Sequence, residues 1–162
     1  MWDNAPWEPR RWQKECLPVA IEALRAGKKP IISAIMGAGK SVLLAELVYQ
    51  GLKKLRSGYT IVVVAPRQSL IRQLYKTISL RCGRENVGCY YADSKDLTRK
   101  VVITTYVSAP VISSQLQVAM LVGDEVHSTE GDHFKDCWQF LNPACAIGFT
   151  ATPYRSDDRE SL

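Results

Sequence analysis

Apolar and polar positions along this chain switch repeatedly between two periods, and the switching predicts the architecture. Residues 10–26 place Trp12, Cys16, Val19, Ala20, Ala23 and Leu24 near helical spacing. Residues 31–35 form a short apolar strand, and 42–55 a helix that Ser57-Gly58 ends. Residues 59–65, rich in β-branched side chains, predict a buried strand, and 68–80 a helix. Short strands follow at 87–92 and 101–105, separated by the polar stretch 93–100. An apolar strand at 117–122 runs into Asp124, 132–141 predict a helix, and 145–150 a last strand. Strands interleaved with helices predict an α/β fold, a mostly parallel sheet with helices on both faces. Ligands of such sheets collect beyond the carboxyl ends of the strands. Residues 36–41, 65–69, 104–105, 124–127 and 150–152 all fall there.

The chemistry at those ends is specific. Ser33-Ala34-Ile35-Met36-Gly37-Ala38-Gly39-Lys40-Ser41 joins a strand to a helix and reads as a loop for holding nucleotide phosphates. Gly37 and Gly39 let successive N–H groups converge on an anion, and the helix start adds its positive dipole end. In this reading Met36, Gly37, Ala38 and Gly39 cradle phosphates, Lys40 reaches the β and γ phosphates, and Ser41 places its hydroxyl on Mg²⁺. The pattern G-x-x-x-x-G-K-S/T is incomplete, because Ala34 stands at the first glycine. At the end of another strand, Val122-Gly123-Asp124-Glu125-Val126-His127 delivers two adjacent carboxylates. Asp124 is expected on the same Mg²⁺, and Glu125 to orient or deprotonate the attacking water. His127 would couple the nucleotide state to a neighbouring segment.

Composition narrows the classes. The 162 residues are 46% hydrophobic and 23% charged, enough for one domain with its own core. Net charge of +5 favours a polyanionic partner. The longest apolar run, 61–65, is too short to span a bilayer, and the N-terminal residues do not resemble a secretory signal. Five cysteines without a C-x-x-C pair suit a reducing, cytoplasmic setting and no structural zinc. His127, His133, Asp132, Asp136 and Cys137 match no metal-ligand spacing.

The order of these segments resembles the first motor domain of superfamily II helicases and translocases. Their phosphate motif usually reads A-x-x-G-x-G-K-S/T, in which Ala34 is the expected residue. Asp124-Glu125-Val126-His127 matches the DExH box, and Thr150-Ala151-Thr152-Pro153-Tyr154-Arg155 is similar to the T-A-T-P-x-R coupling motif. Arg10-Arg11-Trp12-Gln13 resembles the adenine-reading R-P-x-Q segment, with Arg11 replacing proline. Residues 65–70 and 102–106 look like the motifs that touch a nucleic-acid backbone.

That resemblance implies a RecA-like P-loop NTPase domain that uses ATP and Mg²⁺ and couples hydrolysis to movement on nucleic acid. The DExH and T-A-T-P-x-R forms favour DNA over RNA, in the repair, phage and restriction-motor branch. Arg10 and Gln13 would contact adenine, and Gln13 has the donor and acceptor that adenine's edge requires. Arg67, Gln68, Thr104 and Thr105 would hold nucleic-acid phosphates, which position a strand without reading its sequence. Thr150 and Thr152 would bond to His127 or Glu125 and report the γ-phosphate to that path. Two other readings stay open: a small phosphotransferase built on the same loop, and a catalytically silent binding domain. The chain is expected to be one domain, with an adenine-reading region at 1–28, a core at 29–155 and an exit segment at 156–162. A second RecA-like domain is expected beyond it, supplying arginine fingers that contribute about 10³ to 10⁵ in rate. The chain as given is therefore expected to bind Mg·ATP weakly and hydrolyse it hardly at all, and robust DNA-stimulated unwinding by it would contradict that expectation.

Overall fold

The computed structural model describes residues 1–35, 37–126 and 131–152, with the backbone alone for Gly131, Asp132 and Thr152. Met36, His127 and 153–155 of the motifs above lie outside the described residues. Twelve elements follow in chain order. They are α1 (Arg11–Arg25), β1 (Ile31–Ile35), α2 (Lys40–Lys53), β2 (Thr60–Ala65), α3 (Gln68–Cys82), β3 (Val87–Tyr91), β4 (Ser94–Lys95), β5 (Val101–Thr105), α4 (Ala109–Ile112), β6 (Val118–Gly123), α5 (Gly131–Leu141) and β7 (Cys145–Thr152). The seven strands form one sheet in the order β1-β7-β6-β2-β5-β3-β4. Every pairing is parallel except β3 with β4.

Central β2 explains why this sequence makes a two-faced sheet. All six of its residues are buried. Ile61, Val63 and Ala65 join Leu17 of α1, Leu44 and Leu47 of α2, and Ile71 and Ile78 of α3 in one core. Val62 and Val64 join Ala109 of α4 and Cys137 and Leu141 of α5 in the other. Strand periodicity sends alternate side chains to opposite faces, so a continuous apolar run is what a doubly covered strand needs.

Three features depart from the sequence expectation. The stretch 93–100 contains β4, whose two residues pair back on Tyr90 and Tyr91 through a turn with Ala92 at φ +45°. It closes the edge of an otherwise parallel sheet with a very short strand. A single-turn helix, α4, follows β5 where no element is expected, and its buried Ala109 and Ile112 are too few to give a helical period. α2 begins at Lys40, directly on the phosphate loop, because Gly39 is its N-terminal cap.

α2 and α3 are locked by a buried ion pair. Arg81 donates from Nε to Glu46 Oε2 at 2.6 Å and from Nη2 to Oε1 at 3.2 Å. The Trp2 N–H and the Gln50 amide also donate to Oε1, and Arg81 donates to the Asp3 carbonyl. The guanidinium lies 3.7 Å from the Tyr49 ring centre. Burial pushes the Glu46 carboxyl up, but its hydrogen bonds from Arg81, Gln50 and Trp2 outweigh that and hold it below the usual value. A depressed folded-state value makes this contribution complete above the ordinary carboxylate range and lost as pH falls through the folded value. Arg81→Met should therefore destabilise the protein by about 3–5 kcal/mol, since it strands a buried carboxylate. Glu46→Gln should flatten the acid limb of the stability curve below about pH 4. Urea melts across pH measure both, and an unchanged acid limb in Glu46→Gln would contradict the assignment.

Candidate functional site

The loop between β1 and α2 is shaped from outside by the start of α1. Arg10 Nη1 donates to the Gly37 carbonyl at 3.0 Å, Trp12 Nε1 to the Ala38 carbonyl at 2.8 Å, and Gln13 Nε2 to the Gly39 carbonyl at 2.8 Å. Three consecutive carbonyls are thus held by three side chains of one helix start. Gly37 and Gly39 have φ of +83° and +88°, the left-handed region that favours glycine. A side chain at Gly39 would also meet Gln13 Nε2 at 2.7 Å. The glycine is needed twice, for its torsion and for the close approach of the amide.

On the inner side lies a cavity of about 380 Å³ lined by Gly37, Gly39, Lys40, Ser41, Asp124 and Glu125 among others. The Lys40 ammonium is paired with Asp124 Oδ1, and the two side chains are 17% and 5% exposed. A lysine and an aspartate 84 positions apart meet because β1 and β6 flank β7 in the sheet, which brings both strand ends to one edge.

Asp124 is fixed on every side. Its N–H donates to the Val64 carbonyl at 2.8 Å, and its carbonyl accepts from the buried Tyr106 hydroxyl at 2.7 Å. Its Oδ1 also accepts the Glu125 N–H at 2.9 Å. Glu125 adopts φ +52°, an uncommon conformation for a side-chain-bearing residue and one that costs of order 1–3 kcal/mol. The turn aims its carboxylate toward Arg67, whose Nη2 lies 3.4 Å from Oε2. Arg67 is 61% exposed, so that pair contributes little to stability. Gly123, just before, leaves room for Phe134 and Val126; a Cβ there would collide with both.

The other expected residues are placed as follows. Gln13 is buried, with both amide ends engaged: Nε2 on the loop and Oε1 on the Arg10 N–H at 2.7 Å. Gln13 and Arg10, expected at an adenine edge, are thus bonded to the β1–α2 loop. Thr104 departs furthest from expectation: it is fully buried and its hydroxyl donates to the Tyr90 carbonyl at 2.7 Å, so it presents no surface group to a nucleic acid. Thr105, one residue on, is part-exposed and accepts the Ser108 N–H. Arg67 and Gln68 are exposed at the end of β2. Thr150 pairs with Ser33 and the Thr152 backbone with Ile35, placing β7 between the lysine and the acid. The Thr152 side chain and His127 lie outside the described residues.

Trp12 and Tyr106 are contributors that sequence reasoning passed over. Trp12 counts there only as an apolar helix position, and Tyr106 only as part of a strand-end motif. Nothing in a single sequence separates an indole that packs from one that also donates.

Similarity to known proteins agrees with this geometry. The family model for the type III restriction enzyme res subunit matches residues 6–155. No curated protein matches the chain significantly. The SWI2/SNF2 ATPase core of Sulfolobus solfataricus, solved in complex with double-stranded DNA, superposes with a TM-score of 0.72 at 19% identity, over 93% of this chain and 33% of its own. The UvsW helicase of bacteriophage T4 gives 0.72 at 19% identity, over 92% and 54%. The type ISP restriction-modification enzyme LlaGI, solved with a DNA substrate mimic, gives 0.68 at 17%, over 96% and 19%. The chain thus spans between about a fifth and a half of the length of these structures. It belongs to the type III restriction enzyme res-subunit family, and its fold is that of the first RecA-like motor domain of superfamily II helicases.

Proposed function

We propose that this chain is the ATP-binding first motor domain of a nucleic-acid-dependent ATPase, a helicase or translocase acting on DNA. The observation that carries the reading is the Lys40–Asp124 pair at the mouth of the loop cavity. A little-exposed lysine and aspartate that neutralise one another can exchange partners when a more strongly charged pair arrives: the ammonium goes to a phosphate, the carboxylate to a cation. The donor set fits that exchange, since Ser41 and Asp124 offer hard oxygen ligands suited to Mg²⁺. Held by Ser41 and Asp124, Mg²⁺ would supply positive charge against that which develops on the phosphates during hydrolysis.

The protein's own groups take the remaining roles. The loop's carbonyls are bonded to Arg10, Trp12 and Gln13 and the Ala38 N–H to the Ile35 carbonyl, which leaves the N–H groups of Gly39, Lys40 and Ser41 at the helix start to receive phosphates. Glu125 orients water and accepts its proton. Its contact with Arg67 joins hydrolysis to the nucleic-acid side: a phosphate that draws Arg67 away frees the carboxylate for water. Gln68 and Thr105 extend that contact surface, while Thr150, Thr152 and His127 relay the nucleotide state across β7. A second RecA-like domain completes the site with arginine side chains.

Lys40→Ala should weaken Mg·ATP binding by about tenfold to a hundredfold, the range expected for one charge-assisted contact. Calorimetric titration of both proteins measures it, and equal affinities would favour a silent scaffold. Trp12→Phe keeps an aromatic side chain against the core, smaller than the indole, but removes the donor to Ala38, and should weaken Mg·ATP binding about three- to tenfold at a modest loss of stability. An unaltered affinity with a lowered Tm would instead make Trp12 a packing residue only.

A further inference from the structure

A cleft larger than the nucleotide cavity lies elsewhere on the molecule. It measures about 1040 Å³ and lies at the opposite end of the sheet, between α3 and the β3–β4 hairpin. We propose that this cleft is a binding groove for single-stranded nucleic acid, separate from the contact surface at the strand ends.

The cleft is basic. Arg72 and Lys76 sit one turn apart on α3, ~6 Å along its axis, and Arg84 and Lys95 line the lower end and the hairpin side. One carboxylate lines the cleft, that of Asp96, and it is already taken by Arg99 at 3.1 Å and by the Thr98 hydroxyl at 2.6 Å. The groove therefore presents an uncompensated row of cations. The row begins at Arg72, one helical turn beyond Gln68 and within α3, and includes neither Arg67 nor Gln68 of the strand-end face.

Aromatic rings line the same cleft. Tyr75 and Tyr91, from different elements, both border it and both pack against the sheet core, which leaves each partly buried. Neither stands in an aromatic motif of the sequence; the fold assembles them. A basic groove with aromatic rings is the combination that binds single strands, rings stacking on bases while cations follow the backbone. An acidic peptide would satisfy the cations and leave the rings without a purpose.

Fluorescence anisotropy of a labelled short oligothymidylate, titrated with the full chain without nucleotide at several salt concentrations, tests the proposal. The double variant Arg72→Glu, Lys76→Glu changes two exposed side chains and should weaken binding about tenfold or more and lower the salt slope by about two. Tyr91→Ala should weaken it about fivefold or more with the slope unchanged, and Tyr91→Phe should bind like wild type. Mg·ATP titration of the charge variant should match wild type. Wild-type binding by the charge variant would overturn the proposal. So would wild-type binding by Tyr91→Ala together with efficient displacement by polyglutamate, which would make the groove a seat for an acidic protein segment. Neither outcome depends on nucleotide, so a wild type that failed to bind Mg·ATP would sink the motor reading and leave the groove to be decided by these variants.

Discussion

A loop between a strand and a helix has no ladder of its own, so its peptide groups face whichever way their partners pull them. Here the pull is one-sided. The carbonyls of Gly37, Ala38 and Gly39 are bonded to Arg10, Trp12 and Gln13, all from one helix start. Everything on the other side of the loop depends on this. With those carbonyls satisfied and the Ala38 N–H turned back onto the Ile35 carbonyl, the loop delivers an α2 that begins at once with Lys40, whose first-turn amides can serve an anion. The same contacts explain why a region far from the acids belongs to the site: without α1 in place, the loop would have glycine freedom and little to oppose it.

The sheet turns that local constraint into a shared site. β7 lies between β1 and β6, and the register puts Thr150 opposite Ser33 and Gly123 opposite Gly148. The β1–α2 loop, the end of β7 and the acid pair therefore leave the sheet at one edge in spatial order. Asp124 is clamped by Val64 and Tyr106, while Glu125 is turned through a strained torsion toward Arg67. One acid has its backbone held at both its N–H and its carbonyl, and the other is tethered to an exposed cation. That division suits a rigid ion ligand beside a carboxylate whose availability can be changed.

Much of this was legible in the sequence, and the limits have physical causes. The strand and helix order was readable because apolar runs and helical stripes alternate strongly, and the loop because Gly-Lys-Ser follows a strand. Thr104 and Thr105 show what was not. As neighbours on a strand they face opposite ways, and a pair of identical residues cannot reveal which one points inward. Trp12 hid for a similar reason: packing and donating use the same side chain. β4 and the groove beside it depend on β3 and α3 meeting in space, and no local period encodes that meeting. Single-turn α4 is below the length at which a pattern can be recognised.

The central claim is that Lys40 and the Asp124–Glu125 pair grip one magnesium-bound triphosphate. A crystal structure of this chain with Mg²⁺ and a non-hydrolysable ATP analogue tests it most directly. The account predicts the analogue's phosphates on the amides of the loop, the Lys40 ammonium moved from Asp124 to a phosphate oxygen, and the cation held between Ser41 and Asp124. An analogue bound elsewhere, with the Lys40–Asp124 pair intact, would contradict it.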